Sequence, residues 1–208
     1  PATLDSPMPT WDERFRAGEY PKNPDPDPLL ERYVDSFPEG RALDVATGTG
    51  RNAVFLAEAG YRVDALDQSR AGLEITRENA RERGVADRIE PIQTDVPRHG
   101  FPEERYAVVT ISFYRALDRL SDIKAALEPG GYLFVQHHLR TSDDVHRGPS
   151  TDRYRFAANE LLRACLDLTV LYYDERTEHS DGRRGATVRV LARNSTGQHQ
   201  SYPEIPPS

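Results

Sequence analysis

Three acids and two glycines carry most of the chemical information in this chain. Asp44 stands four residues ahead of Gly48, and Gly50 follows after one intervening residue, in the run Leu43-Asp44-Val45-Ala46-Thr47-Gly48-Thr49-Gly50-Arg51-Asn52-Ala53. An apolar strand feeding a glycine turn that opens a helix is a nucleotide-binding arrangement, because glycine permits the tight turn and the close approach of ligand to backbone. Seventeen residues beyond Gly50, Asp67 closes the next apolar run. An acid there accepts hydrogen bonds from both hydroxyls of a ribose. A dinucleotide loop would offer its amides and helix N-terminus to a pyrophosphate, which an acid at position 44 would repel. The same acid suits a ligand bearing an ammonium and a sulfonium.

These residues need a framework of strands and helices in fixed order. Short apolar runs at 42–46, 62–66, 88–94, 107–111 and 132–136 read as strands, and the stretches 52–59, 71–83 and 118–127 as amphipathic helices, with Leu117, Leu120, Ile123 and Leu127 on one face. Strand, helix and strand at this spacing give βαβ units, hence a parallel sheet with helices on both faces. Pro91 assigns the third strand to a sheet edge, since proline cannot donate to a central ladder. Toward the C-terminus a helix around 156–164 precedes two apolar runs, 166–173 and 186–192, joined by a polar stretch containing Asp181 and Gly182. Consecutive strands without a crossover helix pair antiparallel. Residues 195–208 form a polar tail.

The first 40 residues are punctuated by Pro7, Pro9, Pro21, Pro24, Pro26, Pro28 and Pro38, yet hold Trp11, Phe15 and Tyr20. We read 11–28 as a partly ordered flap and 29–37 as a short helix with Pro28 near its first turn. The expected organisation is therefore 1–40 flap and helix, 41–194 catalytic domain and 195–208 tail.

Composition narrows the partners. The 208 residues carry a net charge of −7, with 25 Arg and 2 Lys among the 27 basic residues, so no general attraction to phosphate backbones or anionic lipid is expected. Arg77, Arg81, Arg83 and Arg88 alternate with Glu74, Glu78 and Glu82, a solvated helix face rather than a basic patch. One cysteine, Cys165, excludes an intrachain disulfide, and no metal site is expected. Without a basic leader or a membrane-length apolar run, cytoplasm is the default compartment.

The ordered set Asp44-x-x-x-Gly48-x-Gly50, Asp67 after the second strand, Asp95 after the third, and Leu127-Glu128-Pro129-Gly130-Gly131 before the fifth resembles the motifs of class I S-adenosylmethionine-dependent methyltransferases. Gly48-Thr-Gly-Arg-Asn-Ala53, then Gly60-Tyr-Arg-Val-Asp-Ala-Leu-Asp67, with Trp11-Asp-Glu-Arg-Phe15 upstream, is similar to the small-molecule branch of tellurite-resistance and thiopurine-methyltransferase-like enzymes. Ala46, Thr47 and Thr49 depart from that branch, where Cys or Gly and Glu are frequent.

The resemblance implies an α/β, Rossmann-like three-layer sandwich. Its mostly parallel sheet has seven strands, in the order 3-2-1-4-5-7-6, with strand 7 antiparallel. It implies S-adenosyl-L-methionine as cofactor, with Asp44 near the methionine ammonium, Gly48 and Gly50 against the methionine and ribose, Asp67 on the ribose hydroxyls and Gln68 beside the adenine. Asp95 would accept from the adenine amino group, the Val96 amide would face the ring, and Ser112 with Phe113 would floor the methyl site. Trp11, Arg14, Phe15 and Tyr20 would form a lid, and Tyr114, Arg115, His137 and His138 are candidates to meet the substrate. No residue is assigned as catalytic base. The implied partner is a small-molecule methyl acceptor. A nucleic-acid or protein methyltransferase, or a binding module without turnover, stays as the alternative. Against the nucleobase option, Ile111-Ser112-Phe113-Tyr114 lacks the Asn/Asp-Pro-Pro-Tyr/Phe pattern of amino-methylating enzymes.

Overall fold

The computed structural model describes residues 9–180 and 182–204. Pro7, Asp181 and the last four residues of the polar tail, on which parts of the sequence reading fall, lie outside the described residues. Seven strands form one sheet: β1 (Arg41–Val45), β2 (Arg62–Asp67), β3 (Ile89–Gln93), β4 (Tyr106–Ser112), β5 (Leu127–His138), β6 (Thr169–Ser180) and β7 (Arg183–Arg193). Their order is β3-β2-β1-β4-β5-β7-β6. The first five run parallel, and β7 lies antiparallel between β5 and β6. Pro91 sits in β3 at the sheet edge, where its missing N–H faces no partner strand.

The described residues form six α-helices, α1 (Trp11–Arg16), α2 (Pro28–Tyr33), α3 (Arg51–Glu58), α4 (Arg70–Glu82), α5 (Leu120–Ala125) and α6 (Glu160–Ala164), with α1 packed on α4. Period-2 alternation divides the core into two layers. Leu43, Val45, Val109, Ile111, Leu133 and Val135 pack with Ile123 of α5 and Leu161 of α6. Ala42, Val63, Ala65, Val108 and Phe134 pack with Leu30 of α2, Val54 and Leu56 of α3 and Ala80 of α4. Burying each of the larger aliphatic side chains contributes about 1.5–3 kcal/mol, which is what fixes the strands in register.

Several boundaries differ from those the periodicity predicts, each for a local reason. The helix read over 156–164 is reduced to Glu160–Ala164, because Asn159 takes a left-handed φ of +58° and Phe156 bridges Leu139 instead. The helix read to residue 127 stops at Ala125, and Leu127 opens β5 opposite Tyr106. Leu127 to Gly131 is therefore the irregular start of β5 rather than a loop before it. The strand read from Leu166 begins at Thr169, and Leu166 itself is exposed. The flap holds more regular structure than expected. Thr10 and Glu13 cap α1 reciprocally, with the Glu13 N–H donating to Thr10 Oγ1 and the Thr10 N–H to Glu13 Oε2, at 3.3 and 2.7 Å. Asp27 caps α2, accepting from the Leu29 N–H at 2.8 Å with Pro28 at the first helical position.

Candidate active site

The parallel strands β1, β2, β4 and β5 end at one rim of the sheet, and backbone strain marks two of those ends. Ala46 follows β1 with φ +56° and Phe113 follows β4 with φ +58°. A non-glycine residue held in that region costs of order 1–3 kcal/mol, which persists only where surrounding structure demands the turn and is concentrated at functional sites.

Asp44 and Thr110 are paired neighbours on β1 and β4. The Asp44 carboxylate is buried and accepts from the hydroxyls of Thr47 at 2.5 Å and Thr110 at 2.7 Å. Burial pushes its pKa up to about 6 even though those hydroxyls favour the charged form. The Asn52 side chain and the Ala53 N–H at the start of α3 also favour its charged form. Asp67 is also buried, accepting from the Gly48 N–H at 2.8 Å and the Ser69 N–H at 2.8 Å, and burial raises its pKa as well. Neither acid forms an ion pair with an arginine or lysine within 4.0 Å among the described residues. Two buried acids without a basic partner among the described residues, beside a glycine loop, fit a ligand that brings a cation and hydroxyl donors. S-Adenosylmethionine brings both.

The two loop glycines serve the fold in a way the sequence alone did not reveal. A Cβ on Gly50, whose φ is +87°, would stand 2.8 Å from the Thr76 side chain, so close packing of the loop on α4 requires glycine there. A Cβ on Gly48 would meet the Phe15 ring at 3.4 Å. The space beside this loop is thus taken by the N-terminal segment and α4.

The flap residues form one aromatic knot over the loop. The rings of Phe15 and Tyr20 are 5.3 Å apart, Trp11 and Tyr20 5.9 Å, and Arg14 lies 5.5 Å from the Trp11 ring. Asp12 fastens the knot, accepting from Ser69 Oγ at 2.6 Å and the Ala71 N–H at 3.1 Å at the start of α4; those bonds lower its pKa. Downstream, the Thr49 hydroxyl donates to the Pro21 carbonyl at 3.2 Å and Arg51 Nε to that of Asp25 at 2.6 Å. Arg189 then clasps Asp27 at 3.1 Å and Asp174 at 2.7 Å. The segment 11–28 is strapped across the glycine loop from α4 to β7.

The remaining predicted residues divide. Ser112 accepts from Asn52 Nδ2 at 3.0 Å, joining the end of β4 to α3 beside Asp44. Val96 is buried, whereas Gln68 and Asp95 are exposed, Asp95 with Arg98 4.0 Å away. Tyr114 is partly buried, and burial raises its phenol. Arg115 pairs with Glu160 at 2.8 Å and lies 5.2 Å from the Phe156 ring, so its charge is already matched. His137 and His138 belong to β5 rather than following it, and point to opposite faces. His137 packs edge-on against Phe156 at 5.5 Å. The Tyr154 backbone is near, but neither ring nitrogen closes a hydrogen bond. Burial, with His138 and Arg115 nearby, drives its pKa down to about 3. His138 lies 4.9 Å from the Phe113 ring, its pKa lowered to about 4 by burial and by Arg155 and Arg147. Cys165 is buried, with its thiol pushed up to about 12. Arg77 and Arg81 on α4 are exposed, as the charge alternation predicts, while Arg83 caps the helix and Arg88 lies beyond it in a 3-10 turn, both also exposed.

Sequence reasoning missed Asp12, Asn52, Thr110 and Gln136. Thr110 was accessible from strand alternation, since it lies two residues from Ser112 and shares its face.

The fold and these strand ends define a Rossmann-like methyltransferase architecture. Residues 42–131 match the family model described as Methyltransferase domain. The chain is 32% identical over 177 residues to the ubiquinone/menaquinone biosynthesis C-methyltransferase UbiE of Azotobacter vinelandii, covering 76% of this chain and 69% of that protein. It is 24% identical over 147 residues to the bacteriochlorophyllide d C-20 methyltransferase of Chlorobaculum tepidum, covering 68% of this chain and 42% of that one. Among solved structures, TehB from Haemophilus influenzae superposes with a TM-score of 0.70 at 21% identity, covering 81% of this chain and 62% of that one. A geranyl diphosphate methyltransferase in complex with GPP and sinefungin superposes with a TM-score of 0.61 at 17% identity, covering 80% and 77%. The chain belongs to the class I S-adenosylmethionine-dependent methyltransferase family.

Proposed function

We propose that the protein transfers a methyl group from S-adenosyl-L-methionine to a small-molecule acceptor. The observation that carries the reading is the pair of buried carboxylates, Asp44 and Asp67, at the mouth of the glycine loop with no basic side chain to neutralise them. When bound, the cofactor supplies the activated methyl group, so the protein contributes mainly alignment and exclusion of water. Asp44 attracts positive charge, Asp67 holds ribose hydroxyls through its free lone pairs, and the Trp11-Phe15-Tyr20 knot keeps bulk solvent from the loop. Small acceptors are favoured because the strap 11–28 already crosses the glycine loop. The names of similar proteins point the same way: ubiquinone/menaquinone biosynthesis for the Azotobacter protein and geranyl diphosphate for the structural neighbour. No helix among the described residues is long and apolar enough to cross a membrane. Labelled methyl transfer measured with quinols, phenols, amines, thiols, selenite, tellurite and bulk RNA tests the reading. Incorporation into a low-molecular-weight acceptor is expected; incorporation into RNA alone overturns the substrate class.

A further inference from the structure

A second polar patch lies beyond Asp44 on the same face of the sheet. Ser112 pairs with Gln136, and His138 with Thr187, which puts these side chains side by side across β4, β5 and β7. Four of the buried polar atoms here have no hydrogen-bond partner: Asn52 Oδ1, Gln136 Oε1, His138 Nδ1 and Thr187 Oγ1. Asn52, Gln136 and Thr187 are 2%, 4% and 1% exposed. One orphaned polar group in a core is a local accident, but four in one patch are an unfilled binding surface, since each carries a desolvation penalty until something bonds to it. The strained Phe113 packs its ring on His138 at the edge of the patch.

The patch is closed from outside by one loop. Gly148, with φ +95°, lies so near His138 that a Cβ there would stand 2.6 Å from the imidazole. The other side of this loop faces a cleft of about 380 Å³ lined by Val145, Gly148 and Arg155. Only a short segment of backbone therefore separates that cleft from His138 at the edge of the patch.

We propose that this patch is the acceptor subsite, reached by displacement of the 145–150 loop, and that it takes an uncharged molecule through O–H or N–H groups donated to Gln136 Oε1 and Asn52 Oδ1. The inference rests on the methyltransferase reading and specifies its substrate class. Acceptor character dominates the patch. The amide oxygens accept only, and His138 is neutral around pH 7, leaving Nδ1 able to receive a hydrogen bond. The cations near the patch are already engaged. Arg189 is held by Asp27 and Asp174, Arg147 lies 3.7 Å from Glu178, and Arg155 donates to the carbonyls of Leu139, Arg147 and Pro149. Arg51, next to Asn52, gives its Nε to the Asp25 carbonyl, and within the patch itself an oxyanion would meet two amide oxygens.

Titration of the protein with resorcinol and with selenite, each with and without saturating S-adenosylhomocysteine, tests this, using wild type, Gln136→Leu and Thr187→Val. Resorcinol is expected to bind, at least tenfold more weakly to Gln136→Leu and several-fold more weakly to Thr187→Val, while S-adenosylhomocysteine affinity stays within twofold. Thr187→Val should not lower the melting temperature, because it removes a hydroxyl that bonds to nothing; a lowered one identifies a structural role and overturns the assignment. Selenite binding that Gln136→Leu abolishes, resorcinol binding unchanged in both variants, or no resorcinol binding at millimolar concentration also overturns it. Loss of S-adenosylhomocysteine binding by wild type would instead refute the methyltransferase reading, with resorcinol binding to the unloaded protein still deciding the subsite.

Discussion

Replacing Asp44 by Asn should change how stability depends on pH in a direction opposite to that of most carboxylates. Asp44 is 2% exposed, its pKa raised to about 6 from an ordinary 3.8, first by burial and in spite of the Thr47 and Thr110 hydroxyls. Ionising it in place therefore costs about 3 kcal/mol relative to the unfolded chain. Because the folded value lies above the unfolded one, the folded state holds the proton more tightly. Its contribution to stability is complete below about pH 3.8, declines as pH rises through 6, and is constant above that. Between pH 5 and pH 8 the decline is about 1.4 kcal/mol. Asn carries no charge, and any packing or hydrogen-bonding penalty it brings is independent of pH. Urea unfolding of both proteins across this range isolates the effect as the change in their difference. Wild type should lose about 1.4 kcal/mol relative to Asp44→Asn on going from pH 5 to pH 8. A difference that stays flat, or one in which wild type gains with rising pH, would refute the placement of Asp44 as a desolvated acid awaiting a cation. The ligand should show the mirror image. S-Adenosylmethionine binding by wild type should strengthen as pH rises through 6 and level off above about 7, whereas Asp44→Asn should bind at least tenfold more weakly with no such rise.

Other expectations follow from the same geometry. The His137 pKa lies near 3 against 6.5, so stability is retained above pH 6.5 and lost as pH falls below it while the unfolded chain takes up the proton. His137→Phe should gain about 2 kcal/mol on wild type between pH 8 and pH 5 by chemical denaturation, and equal pH profiles would contradict the burial of a neutral imidazole. Gly50→Ala should destabilise the fold by about 1–3 kcal/mol, from the contact at 2.8 Å with Thr76 and the positive φ; an unchanged melting temperature would show that the loop can relax. Arg189→Met removes the clasp on Asp27 and leaves two carboxylates facing each other. Faster proteolysis within residues 11–28 should follow, and protection equal to wild type would mean that the bonds from Ser69, Thr49 and Arg51 hold the strap without the clasp.

The framework was legible because its signals are local. Proline in β3 implies an edge, apolar alternation implies strands, and the glycine turn between a strand and a helix marks the site. Asp67 could be placed from spacing because it ends a strand whose partner carries the loop. What the sequence hid is tertiary. Gly48 and Gly50 suggested room for a ligand, but that Thr76, far away in the chain, crowds Gly50 and that Phe15 packs beside Gly48 could not be read from them. Phe156 suggested a helix face and instead bridges Leu139. Gln136 reads as an ordinary strand residue; its importance emerges only when the register sets it beside Ser112 and leaves its carbonyl unpaired. The strap could be suspected from its aromatics, but the bonds that fasten it, from Asp12 to Ser69 and from Asp27 to Arg189, span 57 and 162 residues.

The most direct measurement is calorimetric titration of the protein with S-adenosylmethionine, S-adenosylhomocysteine and NAD, repeated on Asp67→Ala. Binding of both methionine nucleosides by wild type is predicted, weakened at least tenfold in Asp67→Ala through loss of the ribose acceptor, with no competing NAD site. Tight NAD binding without response to either methionine nucleoside, or an affinity unchanged in Asp67→Ala, would contradict the assignment of the cofactor to the β1 and β2 strand ends.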